Sequence, residues 1–346
     1  MARIIAIANQ KGGVGKTTTA VNLAASLAAA EQRVLLVDGD PQGNATSGVG
    51  LRLEDSAPTV YDAILDQRGI REVLVRGVLF PRLDVAPATP DLAGAEVELV
   101  DVDARERAMQ NALSPIRGDY DYVLIDCPPS LGLLTINMLA AADAIIIPVQ
   151  CEYYALEGLS QLLNTVRLIQ RGANPELAID GVLLTMFDAR LNLSRQVAAD
   201  AREFFGNKVF QTTVPRNVRL AEAPSFGKPI LLYDIASAGA QAYVNVAREL
   251  LGRHSTSKNG TATWSADAAE SQSTDAAEPH QTTPSDIQVH ATAPSGHTVA
   301  SPPGESGTTP RSAEHEESIV VADETRDSSS TGDSALPPFV NPERRP

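Results

Sequence analysis

Residues 3–20 read RIIAIANQKGGVGKTTTA, and this stretch decides the fold. A short run rich in isoleucine leads into a glycine-rich turn, and a helix-forming stretch begins at Lys16. Gly12, Gly13 and Gly15 allow the backbone to curl so that several N–H groups point inward, and the helix dipole adds positive charge there. The order strand, glycine turn, helix is typical of a loop that binds phosphate groups.

This loop contains two lysines where a phosphate-binding loop needs one. Lys16 and Thr17 fit a loop whose lysine reaches the β- and γ-phosphates and whose hydroxyl ligates Mg²⁺. The general pattern G-x-x-x-x-G-K-[ST] requires glycine at position 10, and Gln10 stands there instead. The chain has K-G-G-x-G-K-T-T, with Lys11 five positions before Lys16. A loop lysine with no phosphate of its own is poorly placed unless a second anion approaches it.

Apolar runs of strand length alternate with helical stretches through residues 1–252. The runs are rich in Ile and Val with little polar alternation, which is typical of strands buried on both faces of a parallel sheet. We predict strands in RIIAIAN, RVLLVD, RLDVAPA, YDYVLID, AIIIPVQ and IDGVLLTMF, and helices in KTTTAVNLAASLAAAE, DLAGAEVELVDVDARERAMQNAL, LLTINMLAAA, ALEGLSQLLNTVRLIQRG, LSRQVAADAREFF and SAGAQAYVNVARELLG. This order predicts a doubly wound α/β fold: a mostly parallel sheet with helices on both faces and a ligand at the carboxyl ends of the strands.

The composition changes at residue 253. Residues 253–346 are dominated by Ser, Thr, Ala, Pro, Gly, Asp and Glu, and they hold about half of the formal net charge of −15. Such a segment cannot bury enough apolar area to offset an ordering entropy of roughly 1–2 kcal/mol per residue. We therefore predict a folded domain that carries the phosphate loop in residues 1–252 and an acidic, low-complexity, disordered tail in residues 253–346.

Two of the predicted strands end in aspartates. RVLLVDGDPQGN places Asp38 and Asp40 at the end of one buried strand, and YDYVLIDCPPSLG places Asp126 at the end of another. A carboxylate at this edge of a sheet, beside a phosphate loop, is where Mg²⁺ and its waters belong. We expect Asp38 and Asp126 to hold metal-bound waters and Asp40 to orient an attacking water. For any one aspartate alone, helix capping is the alternative.

Composition excludes several classes of chemistry. All five histidines follow Gly252, so the predicted folded part has no imidazole and cannot use histidine as a base or metal ligand. The net charge of −15 and 4% aromatic content argue against a surface coated in nucleic-acid-binding charge, but not against a local basic patch. Two cysteines, Cys127 and Cys151, indicate a reducing cytosol. MARIIAIANQ lacks the features of a signal peptide, and no apolar run could span a bilayer.

Several separated motifs together carry a family resemblance. KGGVGKTTTAVNL, LLVDGDPQGNATSGVG, LIDCPPSLGLLTINML, CEYYALEGLSQLLNTVRLI, GVLLTMFDAR and PRNVRLAEAPSFGKPI occur in this order. The chain is similar to the ParA/MinD family of deviant Walker A ATPases, and above all to its Soj-type chromosome-partitioning branch. The resemblance covers residues 2–250 and leaves the tail outside.

The resemblance implies an ATPase that uses ATP and Mg²⁺ and forms a homodimer when ATP is bound. In that family the upstream lysine crosses the dimer interface to the nucleotide of the other subunit, a role that falls to Lys11 here. The implied catalytic residues are Lys11, Lys16 and Asp40. The implied nucleotide-binding residues are Lys11, Gly12, Gly13, Val14, Gly15, Lys16, Thr17 and Thr18, with Met186, Pro215 and Asn217 beside the adenine. The implied metal ligands are Thr17 directly and Asp38 and Asp126 through water.

The resemblance also implies partners. In the Soj-type branch, arginines of the DAR and NVRL motifs bind double-stranded DNA without sequence preference, and these are Arg190 and Arg219 here. Between residues 180 and 230 the charge balance turns slightly basic, although ordinary surface arginines would give the same balance. A ParB-like centromere-binding protein would stimulate hydrolysis. We therefore expect a cytoplasmic, nucleoid-associated protein that does not bind a membrane.

Three other interpretations remain open at this point. A MinD-type ATPase that cycles on membranes needs a basic amphipathic helix at its C-terminus, whereas this chain ends in ALPPFVNPERRP. An iron–sulfur electron carrier shares the doubled-lysine loop, but it needs cysteines that bridge a cluster across a dimer. The same ATPase could also position a protein cluster instead of DNA, and the sequence does not separate these cargoes.

Overall fold

The computed structural model describes residues 1–152 and 157–257, so the predicted tail beyond residue 257 lies outside the described residues. Six strands form one sheet in which every neighbouring pair is parallel. The strands are β1 (Arg3–Ile7), β2 (Val34–Asp38), β3 (Leu83–Ala86), β4 (Tyr122–Asp126), β5 (Ala144–Gln150) and β6 (Ala178–Thr185). Five of them lie within the apolar runs identified in the sequence, and β6 begins one residue before its run, at Ala178. The predicted doubly wound α/β fold is confirmed.

The strand order, β3-β2-β4-β1-β5-β6, places β1 in the interior of the sheet. From β1 the chain crosses to β2 on one side, and from β4 it crosses back over β1 to β5 on the other. The order therefore reverses around β1, and open α/β sheets bind their ligands at the carboxyl ends of the strands at such a point. The glycine-rich turn follows β1 directly, so the topology positions it there.

Twelve α-helices and six short 3₁₀-helices lie in the described part. The α-helices are α1 (Lys16–Ala29), α2 (Asn44–Gly48), α3 (Val60–Ile64), α4 (Ile70–Val73), α5 (Ala95–Glu98), α6 (Ala108–Leu113), α7 (Leu133–Ala141), α8 (Glu157–Arg171), α9 (Asn192–Phe205), α10 (Val218–Glu222), α11 (Ile230–Tyr233) and α12 (Ala238–Ser257). The 3₁₀-helices are Pro90–Gly94, Leu99–Asp101, Arg105–Arg107, Ser114–Ile116, Gly206–Lys208 and Ala223–Phe226. Within the described residues, none of the helices is both long and apolar enough to cross a membrane.

Each face of the sheet is covered by its own hydrophobic core. Along β1, Ile4 and Ala6 belong to one core, whereas Ile5 and Ile7 belong to the other. The first core includes residues of α6, α7, α8 and α9, and the second includes residues of α1 and α12. This two-sided burial explains why the strands read as continuous apolar runs without a polar face.

One predicted helix is wrong as a single element. The stretch at residues 91–113 folds as a series of short α- and 3₁₀-helical turns, among them α5 and α6. Ala104 lies within it in the left-handed region at φ 53°, which no continuous helix can include. A periodic composition alone therefore overestimated the length of the helix.

The last helix extends beyond the predicted domain boundary at residue 252. It continues to Ser257 and brings His254 into the folded part, so the expectation that this part lacks an imidazole is wrong. His254 Nε2 donates to Asp180 Oδ2 over 2.8 Å, and its Nδ1 lies 3.0 Å from the hydroxyl of Tyr122. Arg3 pairs with the other oxygen of Asp180 at 2.8 Å. The histidine thus fastens α12 to the amino ends of β4, β1 and β6.

We expect Asp180→Asn to destabilise the protein at neutral pH. Burial alone would raise the pKa of Asp180, but the hydrogen bond and charge of His254, then those of Arg3, lower it from 3.8 to about 2. A lowered carboxyl pKa contributes stability that is present above pH 3.8 and lost as the pH falls through 2, here about 2 kcal/mol. Thermal unfolding at pH 7 and at several values between pH 4 and 2 measures this contribution.

Asp121→Asn is the matched control, because Asp121 pairs with Arg33 at 2.7 Å on the surface. Exposed pairs of this kind contribute roughly 0–1 kcal/mol. Equal losses of stability in the two variants at pH 7 would contradict the role given to Asp180.

Candidate functional site

The glycine-rich turn is a loop of unpaired backbone donors. Gly13 and Gly15 adopt left-handed φ angles of 74° and 88°, and Gly15 forms the N-cap of α1 without a side-chain cap. Within the described chain, the backbone N–H groups of residues 12–17 donate no hydrogen bond. Together with the positive end of the α1 dipole, these donors form an anion site of the kind that cradles phosphates. The residues assigned to this loop therefore lie as a phosphate site requires.

Two long-range hydrogen bonds hold the loop in this shape. Asn9 Nδ2 donates to the carbonyl of Pro148 in β5 over 2.7 Å, and Asn9 Oδ1 accepts from Lys11 N over 3.0 Å. On the other side, Thr185 Oγ1 donates to the carbonyl of Val14 over 2.8 Å. The loop is thereby tied to β5 and β6, which leaves its N–H groups free for a ligand.

Lys16 and Asp126 form the buried centre of the site. Lys16 is 7% exposed and Asp126 is fully buried, and Lys16 Nζ donates to the carbonyl of Lys11 over 3.3 Å. Neither Asp126 oxygen has a hydrogen-bond partner among the described residues. Burial and then the charge of Asp38 raise the pKa of Asp126 well above its usual range. A buried acidic side chain without a hydrogen-bond partner indicates that a ligand binds beside it.

Asp38 lies beside Asp126 in register on β2 but is fully engaged. Its Oδ2 accepts hydrogen bonds of 2.7 Å from both the N–H and the hydroxyl of Thr46, and its Oδ1 accepts one of 3.3 Å from Asp40 N. Burial raises its pKa to about 6 although these hydrogen bonds lower it. Asp38 therefore fixes α2 against the sheet as well as facing the site.

The carboxyl edge of β2 and β4 fits a hydrated magnesium ion better than a protein-only metal cage. In the described part of the chain no group of three or more His, Cys, Asp or Glu residues is spaced to hold a metal. Mg²⁺ keeps several waters and takes its other ligands from one or two protein groups and from phosphates. The unpartnered oxygens of Asp126, with the Thr17 hydroxyl near them, are the donors that suit such an ion. The assignment of Thr17, Asp38 and Asp126 to Mg²⁺ stays a prediction.

A cavity of about 340 Å³ opens next to the loop. Met186, Pro215 and Asn217, the residues assigned to the adenine, all line it, together with Gly15 and Thr18 of the loop. The structure therefore brings the proposed base pocket and the phosphate site together. Adenine binding itself stays a prediction.

Backbone contacts shape this cavity. Phe187 N donates to Val214 O over 3.0 Å, which lays residues 214–216 alongside the end of β6. Met186 has a left-handed φ of 51°, a conformation that costs of the order of 1–3 kcal/mol in a non-glycine residue and is concentrated at functional sites. Asn217 Oδ1 accepts from Leu220 N as the N-cap of α10, which fixes the side chain and leaves its amide N–H₂ group as a donor for a base.

The side chain of Lys11 pairs with a carboxylate from outside its own loop. Its Nζ lies 3.8 Å from Glu152 Oε2, and Arg216 approaches the other oxygen of Glu152 at 3.6 Å. Half-exposed pairs such as these contribute roughly 0–1 kcal/mol, so they hold the lysine only weakly. The second lysine thus remains available for an anion from outside the subunit.

The two arginines assigned to DNA are both in surface ion pairs. Arg190 Nη2 lies 2.7 Å from Asp188 Oδ2, and Arg219 lies 3.0 Å from Glu222 and 3.5 Å from Asp234. Their charges are therefore partly compensated within the subunit, and a polyanion would have to compete with these carboxylates.

Sequence reasoning missed four residues that shape the site. Asn9 and Thr46 lie within the motifs that we quoted, but nothing in their spacing announces the hydrogen bonds that they make. Thr185 and Glu152 come from distant segments, and only the fold brings them to the loop. Cys127 and Cys151 are both buried and free, as expected for residues at strand ends.

Comparison with known proteins gives one consistent result. A family model described as an AAA domain matches residues 2–179. The chromosome partitioning protein ParA of Myxococcus xanthus is 60% identical over 251 residues, which cover 72% of this chain and 88% of that protein. The sporulation initiation inhibitor protein Soj of Bacillus subtilis is 58% identical over 250 residues, or 72% of this chain and 98% of that protein.

A solved structure carries the same fold with ligands. The crystal structure of cobyrinic acid a,c-diamide synthase from Mycobacterium smegmatis with bound ADP and magnesium is 39% identical, with a TM-score of 0.65. It covers 76% of this chain and 99% of its own. The family match, the identity to ParA and Soj over nearly their whole length, and the doubled-lysine loop show that this chain belongs to the ParA/MinD family of P-loop ATPases, in its ParA/Soj chromosome-partitioning branch.

Proposed function

We propose that this chain is a ParA-type partitioning ATPase. It binds ATP with Mg²⁺, forms a homodimer when ATP is bound, binds double-stranded DNA nonspecifically, and hydrolyses ATP when a ParB-like partner stimulates it. The observation that carries the proposal is the loop of unpaired N–H groups at residues 12–17, which ends at buried Lys16 beside the unpartnered carboxylate of Asp126. The names and identities of ParA and Soj support it further.

Catalysis in this proposal is positioning and charge stabilisation. The N–H groups of the loop bind the phosphates, and Lys16 adds a cation whose burial strengthens its attraction to them. Mg²⁺, which the Mycobacterium smegmatis structure contains together with ADP, would neutralise phosphate charge near Thr17 and Asp126. Asp40 is 7% exposed, and its Oδ1 accepts from Gln42 N over 2.9 Å, which fixes the carboxylate that orients the attacking water.

Lys11 completes the site of a second subunit. Its ammonium group lies 3.8 Å from Glu152 Oε2 and is partly exposed, and the nucleotide of a facing subunit would take the place of that carboxylate. Cations supplied in trans to a transferring phosphoryl group contribute about 10³–10⁵ in rate. Dimerisation and hydrolysis are therefore linked through this one side chain.

DNA binding follows dimerisation in this scheme. Two subunits present Arg190 and Arg219 twice, or about four phosphate contacts, for which the slope of log K against log salt is about −3.6. Binding to nucleoid DNA would place the protein in the cytoplasm. A protein cluster as the cargo is the alternative, and a ParB-like partner that stimulates hydrolysis would distinguish the two.

Asp40→Ala should bind ATP normally but hydrolyse it at least about a hundredfold more slowly, because a positioned base contributes about 10²–10⁴ to the rate. The ATP-bound dimer should then remain on DNA. Phosphate release and retention on immobilised DNA measure both effects. Asp91→Ala removes an exposed carboxylate from a 3₁₀-helix and serves as the control. A wild-type rate in Asp40→Ala would exclude Asp40 from orienting the water.

Lys11→Ala should retain ATP binding within a few fold, while dimerisation and hydrolysis fall together. The physical reason is that Lys11 serves the phosphates of the other subunit, so its loss removes a trans contribution of about 10³ or more in rate. Lys16→Ala, which removes the buried lysine of the loop itself, should lose ATP binding. Titration with a fluorescent ATP analogue, light scattering and phosphate release compare the two variants. Equal loss of all three properties in Lys11→Ala would mean that this lysine serves its own loop.

Arg219→Glu should abolish ATP-dependent DNA binding while dimerisation remains. Each dimer loses two of about four phosphate contacts, so any residual binding should show a salt slope reduced from about −3.6 to about −1.8. Arg248→Glu makes the same charge change at an exposed position of α12 and is the matched control. Unchanged DNA affinity of Arg219→Glu at low salt would remove this residue from the DNA-binding surface.

A further inference from the structure

The turn that follows α2 and the segment that carries Arg219 touch through a pair of glycines. Gly50 and Gly227 both adopt left-handed φ angles, of 80° and 61°. A Cβ on Gly50 would lie 2.7 Å from the carbonyl oxygen of Gly227, and a Cβ on Gly227 would lie 2.6 Å from Cα of Gly50. Real Cβ atoms do not approach backbone this closely, so the two backbones meet at a distance that only glycine permits.

Hydrogen bonds tie Gly50 to the magnesium edge of the site. Asp38 holds Thr46 through two hydrogen bonds of 2.7 Å. Thr46 O in turn accepts from Leu51 N over 3.2 Å, and Gly50 N donates to Ser47 O over 2.9 Å. A chain of hydrogen bonds therefore connects the Asp38–Thr46 contact through α2 to Gly50.

Gly227 is tied in the same way to the segment that bears Arg219. Gly227 N donates to Pro224 O over 2.9 Å, and Lys228 N donates to Ala223 O over 3.3 Å. Ala223 begins the 3₁₀-helix that continues directly from α10, on which Arg219 lies. The position of Gly227 therefore sets the position of this segment, residues 218–228.

A second contact joins Ile230, the first residue of α11 and two residues beyond this segment, to the phosphate helix. Asn22 Oδ1 accepts from Ile230 N over 2.7 Å, while its Nδ2 donates to Thr18 O over 2.7 Å in the first turns of α1. Beside the glycine pair, a cavity of about 240 Å³ lies between Thr17, Ser47 and Pro224. The packing between α2 and segment 218–228 is thus open on the side of this cavity. The two backbones are in direct contact at the glycine pair.

We propose that Gly50 and Gly227 form a positioning contact through which the nucleotide state sets the DNA-binding segment 218–228. This inference rests on the proposed function. A rearrangement of the Asp38–Thr46 region when nucleotide binds moves α2, and a contact with no free space transmits the movement to Gly227. Because coupling between two sites is reciprocal, DNA must change ATP affinity by the same factor that ATP changes DNA affinity.

Gly50→Ala and Gly227→Ala test this contact. Each variant should bind a fluorescent ATP analogue within about threefold of wild type, because the phosphate loop is intact. In wild type, DNA affinity with ATP should exceed that with ADP by a factor within the usual coupling range of about 5–150. In each variant this ratio should fall at least threefold below the wild-type ratio, towards the part that dimerisation alone supplies, and the effect of DNA on ATP affinity should fall with it. A ratio that stays at the wild-type value overturns the proposal.

Gly77→Ala is the matched control. Gly77 has a left-handed φ of 64°, and a Cβ there would meet no atom within 4 Å. The variant therefore carries the same backbone strain without a collision and should keep the wild-type ratio. The double variant Gly50→Ala/Gly227→Ala should lose no more coupling than the more severely affected of the two single variants, because both changes break the same contact. Loss of coupling in Gly77→Ala as well would also overturn the proposal.

A measurement without glycine substitutions covers the case in which these variants do not fold. In the Lys11→Ala variant, which should bind ATP without dimerising, hydrogen exchange of residues 218–230 should differ between a nonhydrolysable ATP analogue and ADP. Equal exchange in the two states overturns the proposal. A wild-type protein that binds no DNA with ATP would instead refute the proposed function, so the two failures are distinguishable.

Discussion

Asp38 and Asp126 lie side by side on neighbouring parallel strands, both fully buried, and the rest of the site compensates for this arrangement. Two carboxylates in the interior repel each other and lose their hydration, so each needs partners. Asp38 receives them from Thr46, which brings α2 to the edge of the sheet. Asp126 has only the nearby ammonium of Lys16 and the hydroxyl of Thr17, and both come from α1. The two buried carboxylates thus determine that α1 and α2 pack at the carboxyl ends of β2 and β4.

The need of polar groups for partners also explains the hydrogen bonds that hold the phosphate loop in place. An array of unpaired N–H groups is costly unless a ligand binds, and a free chain would close on itself to satisfy them. Asn9 and Thr185 prevent this by holding the loop to β5 and β6 from both sides. These hydrogen bonds also align the loop with the cavity at Met186 and Pro215, so that the loop and the cavity share one support.

The sequence predicted the strands, the loop and the acidic strand ends because each depends on local composition: a buried parallel strand needs a continuous apolar run, and a phosphate loop needs glycine. It did not predict the short helices α2, α3, α4, α10 and α11, which have too few residues for a hydrophobic period and are fixed by tertiary contacts. The break near Ala104 and the extension of α12 to His254 escaped for the same reason, since a left-handed residue and the Asp180 contact become visible only in the fold. The pairing of Lys11 with Glu152 joins segments about 140 residues apart, and no local pattern encodes it.

The attachment of α12 has a further geometric consequence. His254 contacts Asp180 and Tyr122, which lie at the amino ends of β6 and β4, whereas the phosphate loop follows the carboxyl end of β1. The last described helix is therefore anchored at the edge of the sheet opposite to the phosphate loop. Substitutions in this anchor would act on the stability of the fold without touching the residues that line the loop.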